Sequence, residues 1–424
     1  MLRLLQRLTL SDRAMRALSP LAGPFHPWHP DVRRDPYPTW RRLREQAPLV
    51  RMRLLGGWAA GRYAEVERIL RDRCFSTDRS ALAVMRWMRR GLRGAPELEN
   101  LVDHNLLMID GPKHARLRAR VSRAFTPRRI ERLRERATEL VEQLLERSAA
   151  RGEMDVVRDL ARPLPATVIA ELLGVPERDR VDFERWSADL SELLDPFSGN
   201  DGIEPQKRAT ANVASLFRRL LAERRPEPRD DLLSAMIALE PEGEEPLGED
   251  ELVALCALLL AAGSETTVNL IGSAVVLLLR YPGERKRLQD DLSLLPNAIE
   301  ECLRFEPPVQ FTDRAVIEPC QLGGVELRPG TIVAAVIAAA NRDPERFPDP
   351  ERFDVGRQGE RHLSFGSGGH YCLGAALART EVQIALHRLF TRFPNLSLAV
   401  LRSQIRFTGP FGARALAALP VRLG

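Results

Sequence analysis

One cysteine stands within a run of glycines, in a pattern that suits a metal ligand. Cys372 lies in the run FGSGGHYCLG of Phe365 to Gly374, and the chain reads as helix from Ala375. Glycines let the backbone turn sharply and lie close against a flat group. A thiolate at the start of a helix faces its positive end and nearby amide groups, which lower its proton affinity. The sequence therefore predicts that the Cys372 sulfur binds a metal.

The other cysteines indicate which metal. The chain has five cysteines with no C-x-x-C pair, namely Cys74, Cys256, Cys302, Cys320 and Cys372. Structural zinc needs three or four Cys or His ligands at short spacing, so zinc is disfavoured. A single thiolate suits an iron whose equatorial positions are already filled, which is haem. Since no C-x-x-C-H attachment motif occurs, we expect a b-type haem.

A second candidate is the polar centre of a long apolar segment. Leu252 to Leu279 contains one charged residue, Glu265, within the sequence AGSETT of residues 262–267. A transmembrane helix would carry that acid at the bilayer centre, at a cost of about 2.5–3.5 kcal/mol. We instead predict a buried helix of roughly 30 residues. Ala262 and Gly263 would let a ligand approach, and the Thr266 hydroxyl could bond the Ala262 carbonyl and open a local bulge.

Both segments resemble signatures of the cytochrome P450 haem-thiolate monooxygenases. The pattern F-G-x-G-x-H-x-C-x-G with L-A-R behind it resembles the cysteine loop, and A-G-x-[DE]-T-[TS] resembles the oxygen-binding groove. The resemblance implies a mainly α fold with small β-sheets, a triangular helical prism with haem between the long central helix and the Cys-ligand helix. It implies that Cys372 is the axial ligand and that further residues contact the haem, namely Ala262, Phe365, Gly366 and Gly374.

The groove carries the expected catalytic residues. By resemblance, Thr266 would position a proton donor and water beside bound O₂, and Glu265 would relay protons from bulk solvent.

Charge balance at the haem asks for cations. A ferric porphyrin with two ionised propionates and a thiolate carries a net charge near −2, which cannot be buried uncompensated. The resemblance assigns the propionate contacts to His114, Arg118, Arg314 and His370.

The E-x-x-R spacing of Glu301 and Arg304 puts acid and base on one helical face. The resemblance completes a buried salt-bridge triad with Arg352. His362 and His387 match nothing specific, and we interpret them as structural or solvated.

The substrate pocket follows from the resemblance alone. It implies a lining from the loop before the third helix, the long helix, the segment after E-x-x-R and a C-terminal turn. The residues at these places are mostly apolar, namely Met85, Trp87, Met88, Leu92, Leu258, Val309, Phe311 and Phe411. A terpenoid, steroid, polyketide or fatty acid fits such a lining, and the sequence does not choose among them.

Composition bounds the organisation of the chain. The 424 residues contain no linker or repeat, so we predict an N-terminal extension over 1–35 and a single domain over 36–424. A net charge of +5 without clustered basic residues argues against nucleic-acid binding. Arginines interrupt the leucines of Met1 to Leu18, which excludes a membrane span. The alternatives are a helix packed on the domain, a helix frayed in solvent or a helix lying on a membrane surface. Sparse cysteines favour the cytoplasm.

Electrons have to come from another protein, because no flavin or iron–sulfur motif is fused to this chain. We expect a monomeric enzyme with a ferredoxin reductase and an acidic [2Fe–2S] ferredoxin. The ferredoxin would dock on a helix with Arg116, Arg120 and Arg123 and on the loop before Cys372. Two alternatives stay open: a peroxide-driven peroxygenase, against which the Glu265–Thr266 pair argues, and a non-catalytic haem-thiolate ligand-binding protein.

The remaining patterns predict mostly helix. Helical segments are predicted over 37–46, 63–71, 112–125, 127–151, 164–173, 177–194, 204–225, 230–238 and 284–291. Strands are predicted over 49–53, 58–60, 315–317, 325–327, 331–336 and 419–422.

Overall fold

The structure is a computed structural model that describes residues 16, 23, 25–27, 29–53, 56–80, 92, 94–191, 204–238, 245–408 and 412–424. The α-helices in these residues are α1 Pro30–Arg34, α2 Tyr37–Gln46, α3 Tyr63–Arg71, α4 Pro96–Asp103, α5 Gly111–Ala124, α6 Pro127–Ala149, α7 Pro163–Leu172, α8 Arg180–Ser191, α9 Glu204–Arg224, α10 Leu232–Ala238, α11 Glu249–Arg280, α12 Pro282–Asp290, α13 Leu295–Phe305, α14 Ile337–Ala340 and α15 Ala375–Arg392.

The strands are short and lie in four small sheets. They are β1 Leu49–Arg51, β2 Trp58–Ala60, β3 Phe75–Ser76, β4 Glu153–Asp155, β5 Thr312–Val316, β6 Cys320–Leu322, β7 Val325–Leu327, β8 Ile332–Ala335, β9 Ser397–Leu398, β10 Phe407–Thr408, β11 Ala415–Leu416 and β12 Pro420–Arg422. The largest sheet has the order β1-β2-β8-β5-β3, the next β4-β12-β9, and β6–β7 and β10–β11 form two-stranded sheets. Only the β2–β8 pairing is parallel among the strands described.

The long helix α11 is the axis of the core. Its first turn carries Glu249, Asp250 and Glu251, which suit the positive end of the helix, and the Glu251 side chain accepts a 3.1 Å bond from the Gly248 amide. Helices α7, α8, α9, α13 and α15 all pack against α11. By length and composition α11 could cross a membrane, but 72% of its most apolar window is buried inside the protein. It is therefore positioned as a core helix, as the sequence predicts.

Described residues before Pro36, such as Phe25, also pack on this body. Phe25 is 2% exposed, and its ring lies 5.9 Å from that of Trp40 and 5.5 Å from that of Phe311. The hydrophobic cluster around these rings thus begins upstream of residue 36, where the sequence predicts the domain to start.

Candidate active site

The loop before α15 holds Cys372 through backbone geometry. The Cys372 amide donates to the Phe365 carbonyl at 2.8 Å, and this bond closes the loop of residues 365–372. Gly368 has φ +71°, and a Cβ there would lie 2.9 Å from the Leu70 carbonyl oxygen at the end of α3. Only glycine combines this backbone conformation with that close approach. The glycines of the motif therefore seat the cysteine loop against α3.

The Cys372 side chain reaches the surface but has many protein atoms around it. The Cys372 side chain is exposed, whereas Cys74, Cys256 and Cys302 are buried. Burial among protein atoms raises the pKa of the Cys372 thiol, while the Gly374 amide and the guanidinium groups of Arg118 and Arg379 lower it. The same three groups stabilise negative charge on the sulfur.

Two histidines stack beside the loop. The rings of His114 and His370 lie 4.1 Å apart, and His370 Nε2 lies 2.7 Å from Asp110 Oδ1. His114 Nε2 is buried without a hydrogen-bond partner. Burial, with His370 and Arg118 nearby, lowers the pKa of His114 to about 4. An anion placed against His114 would supply the missing partner.

Two arginines converge on the same region. Arg118 donates to the Tyr371 carbonyl, next to Cys372. Arg314 is 7% exposed and donates only to the Thr312 hydroxyl and the Asp313 carbonyl, with no carboxylate at ion-pair distance in the described chain. Burial lowers the pKa of Arg314 to about 10. A buried cation without a paired acid calls for an anionic ligand.

These observations fit haem. The unpaired His114 nitrogen and the Arg314 cation suit two propionates, and a Cβ built on Gly369 or Gly374 would meet only open space. No group of three or more His, Cys, Asp or Glu in the described residues could hold a metal by itself. A metal bound at Cys372 therefore has to bring most of its ligands with it, as the iron of haem does.

The centre of α11 is open where the rest of the helix is buried. Ala262, Glu265 and Thr266 are half-buried and Gly263 is exposed, between long buried stretches of the same helix. The Thr266 hydroxyl donates to the Ala262 carbonyl at 2.9 Å, as the sequence predicts. The expected bulge does not interrupt the helix, because α11 is continuous from Glu249 to Arg280. Glu265 has neither a hydrogen bond nor an ion pair within the part of the chain described.

The salt-bridge cluster on α13 corrects one prediction. Arg304 binds Glu301 through two nitrogens at 2.6 and 2.8 Å, both side chains being buried, and also donates to backbone carbonyls of the 341–352 segment. The third member is Arg357, whose Nε lies 3.1 Å from Glu301, and not Arg352. The Arg352 side chain is 63% exposed toward Asp354, and only its carbonyl contacts Arg304.

A second ion pair ties α13 directly to the cysteine helix. Arg379 binds both carboxylate oxygens of Glu300, at 2.7 and 2.8 Å, and its guanidinium lies 4.4 Å from the Phe365 ring. His362 Nε2 lies 3.1 Å from the same carboxylate, which confirms a structural role for His362. Burial opposes ionisation of Glu300, but Arg379 and His362 lower its pKa to about 2. Through Arg379, this pair holds the Phe365 ring at the start of the cysteine loop.

The structure describes only some of the residues that are predicted to line the pocket. Met85, Trp87, Met88 and Phe411 lie outside the described residues. Leu258 is buried one turn before Ala262 on the same face of α11, and Val309 is half-buried beside Ala413. Phe311 is 9% exposed and packs edge-on against Phe25 and Trp40, and its place in the pocket stays a prediction.

The docking helix also differs from expectation. Arg116 of α5 is paired with Glu251, and Arg120 is fully buried and donates to the Glu245 carbonyl at 2.8 Å. These two arginines bind α5 to the start of α11 and offer little charge to a partner. Arg123 is exposed.

Comparison with known proteins identifies the class. The family model described as Cytochrome P450 matches residues 98–398, so the chain belongs to the cytochrome P450 family. Cytochrome P450 107B1 of Saccharopolyspora erythraea is 42% identical over 398 residues, covering 92% of this chain and 95% of that protein. The 6-deoxyerythronolide B hydroxylase of the same organism is 39% identical over 393 residues, covering 92% and 96%.

Solved structures agree in fold. The crystal structure of P450BioI in complex with hexadec-9Z-enoic acid ligated acyl carrier protein has a TM-score of 0.85 and 36% identity, covering 92% of this chain and 98% of that chain. The cytochrome P450 fold expected from the sequence is thereby confirmed. The chain is a haem b-dependent oxygenating oxidoreductase of this family.

Three structural contributors escaped the sequence analysis. Asp110, Arg357 and the Glu300–Arg379 pair hold the cysteine loop and its supports. Asp110 and Arg379 stand inside the motifs already recognised, beside His114 and Cys372, so their positions were the available signal. Arg357 lies in an irregular segment without any motif.

Proposed function

We propose that this chain is a monooxygenase that inserts one oxygen atom of O₂ into an apolar small molecule, by hydroxylation or epoxidation. Electrons come from NAD(P)H through a ferredoxin reductase and a [2Fe–2S] ferredoxin. The observation that carries the proposal is the open acid–alcohol pair, Glu265 and Thr266, at the centre of an otherwise buried α11.

Haem, when bound, supplies the binding and reductive activation of O₂. The Cys372 sulfur would bind its iron, and Phe365, Gly366 and Gly374 would lie beside it. His114, Arg118, Arg314 and His370 would bind its propionates. The support for these roles is the unpartnered His114 nitrogen and the unpaired Arg314 cation.

Glu265 and Thr266 have different roles in proton delivery. The Thr266 hydroxyl, which bonds to the Ala262 carbonyl, orients a water at the open face of the helix. Glu265 has no partner that fixes it among the described residues, so its carboxylate can exchange between solvent and that water. A carboxyl group that alternates between two positions suits proton relay better than one fixed by ion pairs.

The substrate is a largely aliphatic molecule. Relatives named for their substrates include 6-deoxyerythronolide B hydroxylase and vitamin D(3) 25-hydroxylase, and structural neighbours were solved with myristic acid and corticosterone. Vitamin D(3), myristic acid and corticosterone share a large apolar surface and few polar groups. Leu258 and Val309 would contribute an apolar wall to such a ligand.

The ferredoxin docks on the surface outside the cysteine loop. Arg73 and Arg361 are exposed there, Arg73 just beyond α3, against which the loop packs, and Arg361 with its guanidinium 4.7 Å from the Tyr371 ring. Neither has a carboxylate at ion-pair distance in the described chain. Reversal of both to Glu should slow haem reduction and reduce its salt dependence, whereas Arg225→Glu at the end of α9 should not.

The deciding experiment compares two oxidant systems on one substrate panel. Product formed with NAD(P)H, reductase and ferredoxin supports the proposal. Product formed only with hydrogen peroxide indicates a peroxygenase. Soret shifts on ligand binding without product from either system indicate a ligand-binding protein. A cytoplasmic location and a monomeric state complete the proposal, the latter tested by light scattering.

A further inference from the structure

Asp110 is the centre of a hydrogen-bond cluster that no role in the reaction explains. Its carboxylate accepts from the Ser76 hydroxyl at 2.6 Å, from the Thr77 amide at 2.6 Å and from the Thr77 hydroxyl at 2.9 Å. The Asp78 amide adds a fourth bond at 3.2 Å. His370 Nε2 lies 2.7 Å from the other carboxylate oxygen.

The cluster joins three separate parts of the chain. Ser76 ends β3, Asp110 directly precedes α5, and His370 lies in the loop that carries Cys372. Burial opposes ionisation, but the bonds from His370, Ser76 and Thr77 hold the pKa of Asp110 well below its usual range. A carboxylate that is always ionised can only accept hydrogen bonds, so it fixes which donors face it.

This arrangement fixes the orientation of the His370 ring. Asp110 binds Nε2 on one edge, and the neighbouring His114 ring packs at 4.1 Å on one face. Thr77 Oγ1 lies 3.5 Å from the same ring nitrogen. The ring therefore has little freedom to rotate, and the turn before Cys372 is anchored to β3 and α5 through it.

We propose that Asp110 is a positioning residue, which holds His370 and the cysteine loop in the geometry that retains haem. This inference rests on the proposed roles of His370 and Cys372 at the haem. Outer partners of metal-binding groups commonly change affinity by about tenfold or more when removed. Asp110 would act in this way through His370, without touching the cofactor.

A double-mutant cycle tests the inference. The measurement is the rate of haem transfer from the holoprotein to apomyoglobin, for wild type, Asp110→Asn, His370→Phe and the double variant. Asp110→Asn should release haem about tenfold faster than wild type. The double variant should release it no faster than His370→Phe alone, because Asp110 then has nothing to position.

Two controls make the outcome specific. Asp78→Asn, at an exposed neighbour, should leave haem transfer unchanged. Asp110→Glu moves the carboxylate outward by one methylene and should give an intermediate rate, which keeps the test available if Asp110→Asn does not fold. An unchanged rate in Asp110→Asn, or equal acceleration in both His370 backgrounds, would overturn the inference. A wild-type protein whose reduced CO complex lacks the thiolate-type Soret band would instead overturn the proposed ligand.

Discussion

The cysteine loop and the centre of α11 belong to helices that pack on each other, yet their polar groups are held in opposite ways. Around the loop, carboxylates such as Asp110 and Glu300 each receive several bonds from distant segments. In α11 the Thr266 hydroxyl bonds within its own helix, and Glu265 has no partner in the described chain. Under the proposed roles, the cofactor ligand is held in fixed geometry, whereas the carboxylate of the proton relay is left without a fixed partner.

The largest effect should come from removing the fixed ligand. Cys372→Ser should abolish the thiolate-type Soret band of the reduced CO complex, since serine cannot supply the soft thiolate. Difference spectroscopy of the purified protein measures this. Cys302→Ser, at a buried cysteine of α13, is the matched control and should keep the band. A retained band in Cys372→Ser would mean that another residue binds the iron.

The next effect concerns the buried Glu301–Arg304 ion pair, which binds the 341–352 segment. Glu301→Gln leaves the Arg304 guanidinium buried with its charge uncompensated, and should lower the free energy of unfolding of the holoprotein by about 3–5 kcal/mol. Urea unfolding measures the change. The exposed Glu326→Gln should stay within about 0.5 kcal/mol. Equal free energies of unfolding for the two variants would show that the Glu301–Arg304 pair does not stabilise the fold.

Glu381 lies on α15, the helix that follows the cysteine loop. Unlike Asp110 and Glu300, it has a raised pKa, because burial shifts it from 4.5 to about 8. The native state then keeps a proton that the unfolded chain has released. The free energy of unfolding should therefore fall as pH rises from about 4.5 to 8 and level off above, by at most a few kcal/mol. Glu381→Gln should remove this decline, measured as the difference between variant and wild type from pH 5 to 9. A pH-independent difference would contradict the assignment.

In α11, Thr266→Ala should reduce several-fold the coupling of electron uptake to product formation. Less product would form per NAD(P)H and more peroxide would appear, because the variant would no longer orient the water that delivers protons. Haem content and substrate titration should be unchanged. Thr267→Ala removes a similar bond, to the Gly263 carbonyl at 3.2 Å, from a buried side chain and should affect coupling less. Equal coupling in wild type and Thr266→Ala would remove Thr266 from the relay.

The smallest effect separates two arginines of the same segment. Arg357→Gln should lower the free energy of unfolding by about 1 kcal/mol, since it loses a contact to Glu301. Arg352→Gln should change it by less than about 0.5 kcal/mol, because that side chain is exposed. Thermal unfolding of both variants measures the contrast, and the reverse order would restore the prediction made from the sequence.

Local signals explain what the sequence could predict. The bounds of α2, α3, β2 and β7 match the predicted ones, because glycine or proline lies close to the ends of these segments. The helix α4 was not predicted. The Cys372 loop and the α11 centre were predictable because their residues are contiguous.

Contacts across long loops were not predictable in the same way. Arg357 reaches Glu301 over 56 positions, through a segment with irregular backbone. Phe311 is apolar like a pocket residue, and its packing on Phe25 and Trp40 could be seen only in the structure. Sequence patterns give the residue types at a site, but not which of two equivalent side chains a fold selects.

The close approach of Gly368 to the Leu70 carbonyl has a consequence for recombining this chain with its relatives. A chimaera whose crossover falls between residues 72 and 364 would combine a cysteine loop from one parent with α3 from the other. Any shift of that helix toward the loop would collide with backbone, which cannot repack as a side chain does. Libraries that inherit residues 63–71 and 365–374 from the same parent should therefore contain a larger fraction of haem-loaded proteins than libraries that separate them.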